Sequence, residues 1–237
     1  MKKLGLIGGM GPESTIPYYH DIVYGVQKAQ KEAGEETHFT SLTIESVDVF
    51  TVLGLCAQKK YDELYTYLMR AIEAVVAAGA DFAALSANTP HIIYDRLEAA
   101  SPIPLISIVE STKEETMRRG MHRIGLLGTK FTMNEKFFKE PFEKAGISII
   151  VPQGEEQELV HEKISSELEL GIVKPETLVI FQKLIEKMKK ENEIEAVVLG
   201  CTELPLLLND DVTCVPCLDT MQIHIEDLVA HILEIKR

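Results

Sequence analysis

The chain repeats itself. Leu4-Gly-Leu-Ile-Gly-Gly9 returns as Ile124-Gly-Leu-Leu-Gly-Thr129, 120 residues later, and Asp81-Phe-Ala-Ala-Leu-Ser-Ala-Asn-Thr89 returns as Glu195-Ala-Val-Val-Leu-Gly-Cys-Thr-Glu203, 114 residues later. Each half therefore has an apolar run ending in a glycine-rich turn, then an acidic residue, a second apolar run and a polar turn that opens a helix. Short apolar runs alternating with longer amphipathic ones are the pattern of an α/β fold with mainly parallel strands. The repeat narrows this to two similar lobes, each a mainly parallel sheet flanked by helices, in a pseudo-twofold arrangement with the active site in the cleft between them. In open α/β sheets ligands bind beyond the carboxyl ends of the strands, and superposing the repeats places Ala87-Asn88-Thr89 opposite Cys201-Thr202-Glu203.

The expected strands are Leu4–Ile7, Phe39–Ile44, Phe82–Ser86, Leu105–Ile108, Ile124–Leu127, Ser148–Val151, Ala196–Leu199 and Thr213–Val215. The expected helices are Pro12–Ala33, Tyr61–Ala78, Pro90–Ala100, Val109–Arg119, Glu135–Lys144, Glu155–Leu170, Pro175–Asn192 and Thr220–Ile235. Pro12 at a first helical position with Glu13 behind it is a start signal, and Gly79 and Gly120 fall where helices should stop. The chain enters its second half near Pro104 and returns near Val212. Residues 1–104 with 212–237 form the first lobe and 105–211 the second, so the last helix rejoins the first lobe.

At 237 residues the chain suits one large domain or two small ones. Its 24 Lys and Arg against 37 Asp and Glu leave a net charge of −13, which repels nucleic-acid phosphates and anionic lipid. The basic clusters Lys59-Lys60, Arg118-Arg119 and Lys187 to Lys190 are short and read as solvated helix faces. No stretch approaches the ~20 uncharged residues of a membrane span. Met1-Lys2-Lys3 with Leu4-Gly5-Leu6-Ile7 is too short before Gly8-Gly9 to be a signal peptide, so a cytoplasmic location is expected. Neither nucleic acid nor membrane is an expected partner.

Of the four cysteines, Cys214-Val-Pro-Cys217 has CxxC spacing but no second CxxC or histidine pair to complete a zinc site, and it reads as part of a strand. His224 and His231 stand two helical turns apart, too far to chelate one ion, and no metal is expected. Gly9-Met10-Gly11-Pro-Glu-Ser14 fails the dinucleotide pattern at its last position, and no acidic residue closes a second strand about 20 residues on. It reads instead as a turn whose N–H groups cradle a small anion such as a carboxylate. Cys201 directly follows Gly200 at a strand end and precedes Thr202-Glu203. A helix N-terminus there would favour the thiolate, which can move a proton or attack an electrophile. The other reading is a buried, inert cysteine.

Several motifs together resemble the aspartate/glutamate racemase family of cofactor-independent amino-acid racemases, over nearly the whole chain. They are Gly5-Leu-Ile-Gly-Gly-Met10-Gly-Pro-Glu-Ser-Thr15 with Tyr18-Tyr19, Glu45-Ser-Val-Asp48, Ala87-Asn-Thr-Pro-His91, Leu127-Gly-Thr129-Lys-Phe-Thr132-Met, Gly200-Cys-Thr-Glu203 and Asp219-Thr220. The closest branch is that of the bacterial L-aspartate/glutamate-specific and broad-spectrum racemases. The resemblance implies α-proton abstraction on one face of an amino acid and reprotonation from the other, by two thiols, without pyridoxal phosphate or metal. It implies Cys201 as the second-lobe acid/base. Asn88, Thr89 and Thr202 would hold the substrate α-carboxylate, Met10 and Ser46 would line the pocket, and Thr129 and Thr132 would close it. Fixed donors of this kind stabilise the charge that deprotonation loads onto a carboxylate. Asn88, Thr89 and Thr202 also suit helix capping. Family members are commonly homodimers, an assembly the resemblance allows here.

The sequence departs from the family at two places. The first-lobe acid/base position, usually Cys and in one branch Thr, is Ala87, which cannot carry a proton. Ser86 and His91 are the nearest substitutes, although Ser86 alternates to the other side of its strand and His91 stands a helical turn beyond. The aspartate-specific members also place an Arg and a Lys for the side-chain carboxylate where this chain has Ser46-Val-Asp48-Val-Phe50 and Glu167-Leu-Glu169. A neutral or basic amino acid is therefore as good an expectation as an acidic one. Two alternatives stand beside the racemase: a one-thiol decarboxylase or lyase similar to the arylmalonate decarboxylases, and an amino-acid-binding protein with impaired catalysis.

Overall fold

The computed structural model describes residues 1–235, the side chain of Pro12 excepted. Strands β1 (Leu4–Gly8), β2 (Leu42–Ser46), β3 (Phe82–Leu85) and β4 (Leu105–Ile106) form one sheet in the order β2-β1-β3-β4. Strands β5 (Arg123–Leu127), β6 (Ser148–Ile150), β7 (Ala196–Leu199) and β8 (Cys217–Asp219) form a second in the order β6-β5-β7-β8. Every pairing is parallel. The two halves thus repeat one strand order, as the sequence repeat implies, and the α/β class with two parallel sheets flanked by helices is what the structure has.

The helices are α1 (Pro12–Glu32), α2 (Val49–Ala57), α3 (Tyr61–Ala77), α4 (Tyr94–Ala100), α5 (Ile108–Arg118), α6 (Lys130–Asn134), α7 (Lys136–Lys144), α8 (Glu155–Ser166), α9 (Pro175–Asn192) and α10 (Thr220–Leu233). The chain divides into a first unit, Met1–Ser111 with the chain from Met221 onward, and a second, Thr112–Thr220. These passages fall later than the expected 104/105 and 211/212. Pairing of β4 with β3 keeps Leu105 and Ile106 in the first unit, and pairing of β8 with β7, Leu199 against Asp219, keeps the segment before α10 in the second.

Parallel strands covered on both faces read as continuous apolar runs, which is why most of these strands lie where expected. In the first unit Leu4, Leu6, Phe82 and Ala84 of β1 and β3 pack with Tyr18, Ile22 and Val26 of α1 and with Ile225, Leu228 and Ile232 of α10. In the second, Leu127, Val197 and Leu199 pack with Val160 and Ile164 of α8 and with Phe181, Ile185 and Met188 of α9. A fully buried side chain of this size contributes about 1.5–3 kcal/mol. Among the described residues no helix is long and apolar enough to cross a membrane.

Four local expectations are corrected. The last strand is Cys217–Asp219, not Thr213–Val215, because Cys217 N–H is fixed by Asp210 Oδ1 at 2.7 Å and Thr213 spends its hydroxyl on the turn carbonyls of Asn209 and Val215. The second strand starts at Leu42 rather than Phe39, which is exposed, and runs to Ser46. Helix α8 stops at Ser166 because Glu167 turns inward to Lys163, Lys174 and Thr177, and Leu168–Leu170 forms a separate 3₁₀ turn. The segment expected as one helix from Pro90 is a 3₁₀ turn, Thr89–Ile93, followed by α4.

Candidate active site

In the second unit the carboxyl ends of β5, β7 and β8 lie side by side. Gly200 N–H donates to the Leu127 carbonyl at 2.7 Å, so the turn after β7 is drawn against the end of β5. A Cβ on Gly200 would stand 2.8 Å from Leu126 Cδ1 and 2.9 Å from the Leu127 carbonyl oxygen, so glycine is required for that approach. The approach sets Cys201 immediately beyond the sheet. On the β5 side Thr129 caps α6, accepting from Thr132 N–H at 3.4 Å, and the two hydroxyl oxygens are 3.3 Å apart. Thr132 is buried under Gly128 and Gly200, where its methyl would be met by a Cβ on either. The predicted set Thr129, Thr132, Cys201 and Thr202 is thus assembled at one edge of this sheet.

Cys201 is buried, and its Sγ–H donates to Glu203 Oε2 at 2.8 Å. Burial, the Glu203 carboxylate and the more distant Glu169 carboxylate hold the thiol well above its ordinary pKa. The sequence suggested the reverse, a thiolate favoured by a helix N-terminus. No α-helix begins here; the chain makes only a 3₁₀ turn at Leu204–Leu206, and the nearest charge is negative. The surroundings of Cys201 thus favour the protonated thiol over the thiolate. Glu169 lies at the surface; partial desolvation and Glu203 raise its carboxyl, against the opposing effect of His161. Neither Glu203 nor His161 was singled out as functional from sequence; the signal for Glu203 was its place two residues from the thiol.

In the first unit the ends of β2, β1 and β3 lie together, since Ile7 is opposite both Glu45 and Leu85. Gly9 has φ +83°, and a Cβ there would sit 2.2 Å from the Val47 carbonyl oxygen and 2.6 Å from Ser46 Oγ. That contact seats Gly9, the residue before the buried Met10, against Ser46, which is exposed. The anion cradle expected here is closed from within. Gly9 N–H donates to Thr15 Oγ1 at 2.8 Å, the Ser14 and Thr15 hydroxyls donate to the Gly11 carbonyl, and the first turn carries the Glu13 carboxylate. Asp48 caps α2, accepting from Thr51 N–H at 2.8 Å and Thr51 Oγ1–H at 2.6 Å, bonds that lower its pKa.

Ala87 and Asn88 are buried and Thr89 partly so; Asn88 precedes the 3₁₀ turn without capping it through its side chain. His91 Nδ1–H donates to the Ala87 carbonyl at 3.0 Å, and its ring stacks on Tyr94 with centroids 5.1 Å apart. Burial, helped by His224, pushes His91 down to about 3, so it is a neutral imidazole whose Nε2 can only accept. That Nε2 and the Ser86 Oγ are sealed from solvent and have no hydrogen-bond partner. Both candidate substitutes for position 87 are thus present but enclosed, and the imidazole is not protonated near neutral pH. The CxxC cysteines are free, Cys214 exposed and Cys217 half-buried in β8. Among the described residues no group of His, Cys, Asp and Glu is arranged to hold a metal ion.

The sequence profile of the Asp/Glu/hydantoin racemase family matches residues 7–228. A crystal structure of a candidate Asp/Glu racemase from Yersinia pestis superposes with a TM-score of 0.90 at 35 % identity, over 98 % of this chain and 100 % of that one. An aspartate racemase homologue from Pyrococcus horikoshii gives 0.85 at 33 % identity over the same 98 % and 100 %. The broad specificity amino-acid racemase RacX of Bacillus subtilis is 24 % identical over 225 residues, 92 % of each chain.

Proposed function

Because the chain belongs to the Asp/Glu/hydantoin racemase family, we propose that it is a cofactor-independent amino-acid racemase in which the Cys201 thiol moves the α-proton of a free amino acid. The observation that carries this reading is the placement of Cys201: buried at the carboxyl end of β7, its proton held by Glu203, beside the Thr129–Thr132 turn. Thr202 and Thr129 have the chemistry to donate hydrogen bonds to a substrate carboxylate. Deprotonation places charge on that carboxylate, and fixed donors lower its cost.

Ala87 supplies no proton. That position favours a second reading, in which Cys201 acts alone as an acid and protonates one face of a carbanion, as a one-thiol decarboxylase would. The raised pKa of the thiol supports that direction of transfer. α-Deuterium incorporation in heavy water, with chirality followed by chromatography, separates the two. Exchange with inversion supports the racemase, and exchange with retention supports one-sided action by Cys201. A Cys201→Ser variant with full activity would overturn both.

A further inference from the structure

The geometry points to Cys214 and Cys217 as a thiol–disulfide site, in which an exposed thiol attacks a small disulfide and a half-buried one closes the protein bond.

As a strand, Cys214-Val-Pro-Cys217 would be inert. Residues three apart in a strand point to opposite faces and stand about 10 Å apart, whereas a disulfide needs Cα atoms within about 7 Å, the span of a four-residue turn. The structure removes that obstacle. The chain bends at Thr213, Cys214 and Val215, and the strand begins only at Cys217. The turn folds back on the second cysteine: the Thr213 hydroxyl bonds to the Asn209 and Val215 carbonyls and lies 3.4 Å from Cys217 Sγ, and Cys214 is the next residue. The turn is also held from α9, where Gln182 Nε2 and Lys189 Nζ donate to the Val212 and Cys214 carbonyls, each at 2.7 Å. Cys217 is the anchored partner, paired with Val197 of β7 and fixed by Asp210 Oδ1 at its N–H. Both thiols are free, and they differ in access: Cys214 is exposed and Cys217 half-buried, while Cys56 and Cys201 are buried.

The unequal access orders the chemistry. Cys214 sulfur, as thiolate, attacks one sulfur of a low-molecular-weight disulfide; that S–S bond breaks, a mixed disulfide forms on Cys214, and a small thiolate leaves. Cys217 then gives its proton to solvent and attacks the Cys214 sulfur, and a second small thiolate leaves. Two protein thiols are oxidised and one external disulfide is reduced to two thiols, so the electrons balance.

The test uses bis(2-hydroxyethyl) disulfide, a neutral probe suited to a chain whose net charge of −13 repels anionic disulfides. The reduced protein is incubated with it, quenched in acid, and mapped unreduced by mass spectrometry after cleavage at glutamate, which separates Cys201 from the pair at Glu203. The wild type should lose two hydrogens in a bond joining Cys214 to Cys217, with the mixed disulfide a minor species and with Cys56 and Cys201 still thiols. Cys217→Ser should stop at the mixed disulfide on Cys214. Cys214→Ser should take up the probe at Cys217 at least about tenfold more slowly, because burial, with Asp210 and Asp219, raises that thiol against the opposing bond from Thr213. A lasting adduct on wild-type Cys214, equal rates in the two variants, or disulfides between chains as the main product would each overturn the inference. The wild-type map stands without the variants, and its result is independent of the role of Cys201.

Discussion

Tyr18 and His224 are 206 residues apart in the chain and share one buried hydrogen bond of 2.7 Å, Tyr18 Oη to His224 Nδ1. The other ring nitrogen of His224 reaches the Ile106 carbonyl at 3.2 Å, which assigns the proton to Nε2 and makes Nδ1 the acceptor of the tyrosine O–H. The two rings meet edge to face with centroids 5.6 Å apart. This bond joins α1 to α10 within the first unit, so the end of the chain is tied by chemistry as well as by packing to its beginning.

Tyr18→Phe keeps the ring and deletes the donor. It leaves a buried imidazole acceptor unsatisfied, which costs about 1–3 kcal/mol. Urea unfolding should show that loss as a lower midpoint with an unchanged slope; an unchanged midpoint would remove the bond from any account of the fold.

Acid should unfold the first unit. Burial drives His91 down to about 3 and His224 to about 4, each below the ~6.5 of the unfolded chain. For a depressed histidine the unfolded state binds the extra proton, so its stabilisation is complete above pH ~6.5 and is lost as pH falls toward the folded value. Each group's slope approaches about 1.4 kcal/mol per pH unit in that window, and together they remove about 3 kcal/mol between pH 6.5 and 5. His231, raised by its bonds to Asp227, has the opposite sign and loses its contribution as pH rises through its folded value, so it does not offset the loss below 6.5. Unfolding free energies measured at pH 7 and pH 5 check this; equal values would contradict the buried neutral state of the pair.

The strands were legible because parallel strands under two layers of helix are apolar at every position, and Leu4–Ile7, Ile124–Leu127 and Ala196–Leu199 need no periodicity to be seen. The last strand was not, because Thr213–Val215 is the more apolar segment, whereas the pairing of Cys217–Asp219 with β7 and the Asp210 bond to Cys217 N–H place the strand later. Helix α2 escaped for a related reason. Its residues are apolar almost throughout, and its start signal, the Asp48 carboxylate bonded to Thr51, does not stand out in the residue order. At the site, the position of Cys201 followed from the repeat, but its protonation did not. That depends on the direction of one side chain, Glu203, and on the 3₁₀ turn that replaces an α-helix, neither of which the residue order encodes locally.

Gly200→Ala should damage the site more than the fold. Its Cβ would press on the Leu127 carbonyl oxygen at 2.9 Å and on Leu126 Cδ1 at 2.8 Å. The leucine tip can rotate but the backbone must shift, an overpacking cost of about 1–3 kcal/mol. The shift is passed directly to Cys201, so α-proton exchange should fall by about a hundredfold, the usual penalty for a misplacement of about 1 Å. A folded variant with wild-type exchange would show that the Gly200 approach does not position the thiol.

Substrate charge is the last expectation. Glu169 and Glu203 are the charges that act on Cys201. Three lysines of the second unit are engaged elsewhere: Lys163 and Lys174 both bind Glu167, at 2.8 and 3.1 Å, and Lys130 pairs with Glu158. An aspartate or glutamate side chain near the thiol would meet repulsion, and each 1.4 kcal/mol of it is worth about tenfold in rate. Exchange measured across an amino-acid panel should therefore run at least about tenfold faster for neutral and basic side chains than for aspartate and glutamate. Glu169→Lys should narrow or reverse that ratio, because it converts one repelling charge into an attracting one; its effect on the Cys201 thiol is common to all substrates and cancels in the ratio. Aspartate or glutamate as the fastest substrate of the unaltered protein would show that the two carboxylates do not govern selection.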